Sequence, residues 1–264
     1  MREYSKPRHI WRALWPVLAF FGFQLTGIVI FMAVLAIRHG LDAAVYLMGE
    51  YTLLLSGITL VVMLALFLPL WRGTKRTHPE LNTGKVSKKP ILLTVGLFLG
   101  LNLFLNAVFD LTRVMEFFPG TIEHHEAMFA GGGIIMQLVV IGLLAPIVEE
   151  LCFRGVVLNR LSAWMPTWAA VLISSIVFGL VHIDTFQILY TTLIGFIFAW
   201  GYIRTKNLWI PIVGHVVFNM TSVLLGHYME VTGAEMPSVI LIIPSAVLTV
   251  LCVVLMQKML PKDE

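Results

Sequence analysis

The sequence predicts an all-α, polytopic membrane protein of about eight transmembrane helices, with its chemically active side chains held in the membrane core. Three observations carry that prediction. Of 264 residues, 58% are hydrophobic and only 12% charged, and the mean hydropathy is +0.89, whereas a soluble domain is nearer half apolar and a quarter charged. Apolar runs long enough to cross a bilayer recur along the whole chain. Three short polar motifs, Glu149-Glu150-x-x-x-Arg154, Phe178-x-x-x-His182 and His215-x-x-x-Asn219, lie within or against those runs.

The runs fall in order at 13–37, 51–71, 90–109, 134–160, 167–183, 186–203, 207–227 and 238–256. The first is uncharged over its length and no small-x-small cleavage site follows it, so it reads as a membrane helix and not a cleaved signal. An even number of spans puts both termini on one side. Fifteen of the 18 Lys and Arg then share that side; Arg38 and Arg113 lie opposite, and Arg154 lies within a span. The positive-inside rule makes the basic face cytoplasmic, as expected of a multi-pass protein in a bacterial plasma membrane. The basic loop 72–89 fixes that orientation. Trp11, Trp15, Trp71, Trp164, Trp168 and Trp209 sit mostly at span ends, as an aromatic belt requires. The length fits a single membrane domain, 1–264, with the motifs gathered in a core of about 131–227. Cys152 and Cys252 lie a hundred residues apart in apolar stretches, with neither metal-ligand nor disulfide spacing.

Ionisable side chains are costly in lipid and mark function by default. Adjacent residues on a helix point about 100° apart, so Glu149 and Glu150 face different directions. Arg154 is four residues after Glu150, the favoured spacing for an ion pair. The expectation is that Glu150 and Arg154 satisfy each other and that Glu149 faces a cavity. His215 and Asn219 share one helix face, as do Phe178 and His182. At 1.5 Å per residue, a fourth helix that continues to Arg160 buries Glu149 roughly 16 Å, with His182 roughly 22 Å and His215 and Asn219 roughly 12 and 18 Å from their helix starts. The groups then converge near mid-bilayer, where they need a wet pocket. Pro146 and Gly155 are expected to bend or loosen the fourth helix around them.

Other candidates rank lower. His124-His125, flanked by Glu123 and Glu126, offers metal-ligand types in what reads as a solvated outer loop. Asp184 stands near His182, either to orient it or as a helix-boundary residue. There is no Walker loop and no dinucleotide glycine fingerprint, and no nucleic-acid partner is expected.

At these motifs the chain resembles the CPBP family of intramembrane proteases, also called Abi or CAAX-protease-like, which includes the Ras-converting CAAX endopeptidase. The resemblance rests on "EELCFRG" at 149–155, "FGLVH" at 178–182 and "GHVVFN" at 214–219. It implies an eight-helix membrane protease in which Glu149 activates water with His182, His215 and Asn219 bind the water or stabilise the oxyanion, and Glu150 and Arg154 hold the site in shape. The implied substrates are C-terminal regions of membrane-bound proteins, or small secreted peptides such as bacteriocin or signalling precursors. Glu149, His182 and His215 also form a known zinc-protease ligand set, so both a zinc mechanism and a metal-free glutamate mechanism stand at this stage. Two non-proteolytic readings compete: a membrane scaffold or bacteriocin self-immunity protein, and an ion-coupled transporter using Glu149 as proton carrier. The transporter reading expects repeat symmetry or paired broken helices, which the sequence lacks.

Overall fold

The computed structural model describes residues 6–77, 82–84, 87–122 and 132–259. Among them are eight principal helices and no strand: α1 (Lys6–His39), α2 (Leu41–Thr77), α3 (Lys88–Thr112), α4 (Gly133–Ser162), α5 (Thr167–Leu180), α6 (Thr185–Thr205), α7 (Trp209–Thr232) and α8 (Ser238–Met259). Seven are long and apolar enough to cross a membrane. The eighth, α5, has 14 residues, about 21 Å of helix at 1.5 Å per residue, less than the hydrocarbon thickness.

Several helices outrun the apolar runs that announce them. α1 and α2 are separated by Gly40 alone, whose φ of 83° lies in the left-handed region. Gly40 N–H closes α1 on the Ala36 carbonyl at 3.0 Å, and its own carbonyl accepts from Ala44 N–H to open α2. Glycine meets that conformation without a Cβ penalty. α2 therefore starts ten residues before the apolar run at 51. The run at 167–183 behaves the other way. Its helix stops at Leu180, although Val181 and Ile183 are apolar, and Asp184 caps the next helix by accepting from Gln187 N–H at 2.7 Å. A strong N-cap so close downstream stops one helix by starting another.

α4 is continuous but not uniformly α. Residues Leu138–Leu144 and Phe153–Leu158 are π-helical, on either side of the α-helical stretch Ala145–Cys152. The first widening has a local cause. Ala145 N–H bonds Val140 O, five residues back, and the next bond in that register falls to Pro146, which has no N–H.

α4 is central and touches α1, α2, α5, α6 and α7. The most extensive pairings elsewhere are α3 with α8, α5 with α6, α1 with α2 and α3 with α7. α1 is peripheral, with 11% of its most apolar window buried, against 50% for α6; its outward face presents Leu25, Val29 and Ile30, as a lipid-facing helix should.

Polar contacts fix the polarity of the bundle. At the end bearing the α4 C-terminus, Arg160 Nη1 donates to Arg12 O at 2.6 Å, Gly84 N–H to Lys206 O at 3.0 Å, and Asn207 Nδ2 to Gly84 O at 3.1 Å. Tyr202 Oη lies 3.0 Å from Asn159 Oδ1 and 3.1 Å from Asn82 Oδ1. This is the basic end. At the opposite end Thr121 Oγ1 donates to Asp184 Oδ2 at 2.7 Å, and Ser238 Oγ to Asp110 Oδ2 at 2.6 Å.

Candidate active site

The three motifs meet where α4, α5 and α7 converge against α6. Arg154 Nη1 donates to Glu150 Oε1 at 2.9 Å, one turn apart on α4, and both side chains are wholly buried. The guanidinium is held on three further sides. Its Nη2 donates to the Gly195 carbonyl of α6 at 2.8 Å. Its plane centre lies 4.3 Å from the Phe178 ring centroid and 5.3 Å from that of Phe198. A buried cation needs hydrogen bonds and compensating charge, and the aromatic faces add cation–π attraction.

The same Glu150 Oε1 also meets His215 Nδ1 at 2.9 Å. An ionised carboxylate only accepts, so Nδ1 carries the hydrogen, a tautomer assigned from the network. His215 Nε2 then points to Glu149, 3.7 Å from its Oε2. The His215 ring stacks on Phe198, centroids 4.7 Å apart, which fixes its plane. Glu150 is thus a hub joining Arg154 to His215, and His215 spans the two carboxylates.

His182 stands in the break between α5 and α6. Its Nδ1 lies 3.1 Å from the Phe178 carbonyl. A carbonyl only accepts, so Nε2 is left unprotonated. Asp184 does not orient this ring; its two oxygens are taken by Gln187 N–H and Thr121. Asn219 Nδ2 donates to the Ile141 carbonyl of α4 at 3.0 Å. One amide N–H and the amide oxygen of Asn219 remain for other partners.

Glu149, His182, His215 and Asn219 all line one cavity of about 890 Å³. Glu150 and Arg154 do not; they lie behind its wall. The cavity walls mix apolar side chains with Asn106, Gln187, Ser222, Thr52 and Gln24. The arrangement suits hydrolysis: a carboxylate beside an imidazole at the floor of a wide cavity, with an amide donor on the facing helix.

Among the described residues no three His, Cys, Asp or Glu side chains group closely enough to hold a metal ion. Glu149 and His215 approach each other, but His182 does not complete a ligand set with them. The motif at Glu123–Glu126, with His124 and His125, lies outside the described residues.

Some contributors carry no signal of their own in the sequence. Phe198 and the Gly195 carbonyl sit in an apolar run; only their spacing of three, which puts them on one face of α6, hints at a shared role. Gly195 matters because a Cβ there would lie 2.8 Å from Phe178 Cδ1 and 3.2 Å from Arg154 Nη2. A buried asparagine network is likewise unannounced. Asn102 Nδ2 donates to Phe218 O at 3.0 Å and to Ser222 Oγ at 2.7 Å, joining α3 to the cavity-lining face of α7.

Comparison with known proteins converges on this region. Residues 131–221 match the family described as type II CAAX prenyl endopeptidase Rce1-like. The Bacillus subtilis (strain 168) protein named "Putative membrane peptidase YdiL" is 34% identical over 110 residues, which cover 40% of this chain. The chain spans 45% of the length of that curated relative. No solved structure matches.

Proposed function

We propose that the chain is an intramembrane endopeptidase that hydrolyses a peptide bond of a membrane-associated protein or peptide, a reading supported by the match of residues 131–221 to the family described as type II CAAX prenyl endopeptidase Rce1-like. The observation that carries the reading is the pairing of Glu149 with His215 at 3.7 Å on the floor of a cavity that His182 and Asn219 also line.

In this mechanism Glu149 is the general base. It takes a proton from a water molecule, whose oxygen attacks the carbonyl carbon of the scissile bond. His182 accepts a hydrogen bond from the water's second O–H at Nε2 and so helps to hold it; that hydrogen stays on the attacking oxygen. The carbonyl π pair moves onto oxygen, and the free amide N–H of Asn219 donates to that oxyanion. Glu149 then passes its proton to the leaving nitrogen as the C–N bond breaks. His215 lies 3.7 Å from Glu149 Oε2 and, as an imidazolium, offsets the charge of that carboxylate through Nε2–H. The ring's own orientation comes from Glu150, which Arg154 fixes in turn. No step is routed through a metal.

The test is cleavage of fluorogenic peptides, with and without a C-terminal prenyl group, by the purified protein in lipid nanodiscs. Wild type cleaves; Glu149→Gln and His182→Ala do not. Full activity in either variant overturns the assignment. A scaffold or self-immunity protein would instead keep its cellular phenotype in Glu149→Gln.

A further inference from the structure

Among the described residues the lining of the cavity extends to one end of the bundle and not to the other, and the two ends differ in charge. Along α7 its lining runs from His215 through Asn219, Ser222 and Gly226 to Met229, 14 residues or about 21 Å at 1.5 Å per residue. Along α3 it runs from Leu105 to Arg113, again toward the C-terminal end. On α4 it takes in Val140, Ile141 and Ala145, in the N-terminal half, and Glu149, just past the middle. Arg113 and Glu116, at its rim, are well exposed, their side chains 77% and 61% accessible. The lining of α3, α4 and α7 thus leads from the site to the end of the bundle opposite the basic one.

Beyond the site, toward the basic end, the protein is solid. Phe153, Val156, Leu158 and Tyr202 are wholly buried, and Leu208 nearly so. The contacts among Tyr202, Asn159 and Asn82 stand at that end. Of the 15 Lys and Arg among the described residues, 12 lie at it, and such a bias marks the cytoplasmic side.

We infer that the substrate enters from the extracytoplasmic face. It is a polypeptide segment already on, or anchored in, the outer leaflet, and its scissile bond descends about 20 Å along α7 to reach Glu149. The rim matches such a segment. Among the described residues it carries one basic and two acidic side chains, Arg113, Asp110 and Glu116, a mixed charge and not one of a single sign. Deeper down, the amide and hydroxyl groups of Asn106, Ser222 and Gln187 alternate with apolar wall, as suits an extended backbone carrying hydrophobic side chains. The inference rests on the peptidase reading of the site, but its geometry is testable without any turnover.

The experiment is sided cysteine labelling. Cys152 and Cys252, both buried, are first replaced by alanine. Single cysteines are then placed at Leu225 on the cavity wall, at Met236 on the rim and at Arg72 on the basic face. Right-side-out and inside-out membrane vesicles are treated with a membrane-impermeant maleimide. Leu225→Cys and Met236→Cys should label in right-side-out vesicles only, and Arg72→Cys in inside-out vesicles only. Labelling of Leu225→Cys from the same side as Arg72→Cys overturns the inference, as does labelling of Arg72→Cys from outside. The same set carrying Glu149→Gln should give the same pattern. Loss of cleavage in that set would bear on the peptidase reading, and a change of labelled side on the route of entry.

Discussion

The Asn219 side-chain amide donates at 3.0 Å to the Ile141 carbonyl, and Ile141 is the residue whose π-register partner, five positions on, is Pro146. The helix opens into π geometry where Ala145 bonds Val140, proline leaves the next carbonyl without a backbone donor, and a side chain from α7 takes the vacant place. A proline on α4 and an asparagine on α7 are thus two halves of one interaction. The bond also fixes which way the second amide N–H of Asn219 points, so in the proposed mechanism the donor to the oxyanion is aimed by a defect in the neighbouring helix.

That coupling predicts non-additive stabilities. Asn219→Ala strands a poorly solvated carbonyl and should cost about 1–3 kcal/mol. Pro146→Ala supplies an N–H that Ile141 or Gly142 accepts, so Asn219→Ala should cost less in the Pro146→Ala background. Thermal unfolding of the four proteins in one detergent checks it; strict additivity would refute the coupling.

The buried ion pair predicts a large asymmetry. Arg154→Met leaves Glu150 charged and wholly buried with His215 as its remaining partner, and should destabilise by about 3–5 kcal/mol. Arg154→Lys should rescue little, because a point-charge ammonium does not reproduce the fork that reaches both Glu150 and the Gly195 carbonyl, or the stacking on Phe178. Thermal midpoints of the three proteins decide the matter.

Glu149 should separate activity from stability. Glu149→Gln preserves shape and removes the base, so cleavage should fall about 10²–10⁴-fold while the thermal midpoint moves little. Parallel turnover and unfolding measurements test this; equal losses in both would assign Glu149 to the fold and not to the reaction.

Gly195→Ala is the smallest change expected to disturb the site from outside it. The added methyl presses on Phe178 Cδ1 and Arg154 Nη2, and overpacking of this kind costs about 1–3 kcal/mol. Because Phe178 and Phe198 also position His182 and His215, turnover should fall with stability. Wild-type turnover in Gly195→Ala would mean that α6 shifts freely.

The ligand arrangement predicts that chelation leaves turnover intact. His182 does not group with Glu149 and His215, so prolonged dialysis against a strong chelator should not change cleavage by the purified protein. Loss of activity restored by added zinc would show that His182 moves in to complete a site.

Much of this was legible in the chain because lipid makes sequence explicit. Helical runs announce themselves by hydrophobicity, and a carboxylate pair with Arg154 one turn on stands out in a medium that penalises charge. What could not be read depends on tertiary partners or on a contest between neighbouring signals. The end of α5 at Leu180 is set by the Asp184 cap within a run that is still apolar. The π segments of α4 follow from Pro146 together with the acceptors and donors around it. Glu150 looks like half of a local ion pair until α7 brings His215 against the same oxygen, from 65 residues away. Phe198 is one aromatic among 17 phenylalanines, distinguished only by what it stacks on.

The reach of the cavity has a consequence for traffic. In the route of entry proposed above the cavity does not continue to the basic end, where Tyr202 contacts Asn159 and Asn82, so a polypeptide is not drawn through it. It must come in as a free end or as a bent loop, and both fragments must back out through the opening that admitted the intact chain. The longer fragment holds the doorway until it leaves, which makes departure of product, and not the hydrolytic step, the natural point for a slow turnover.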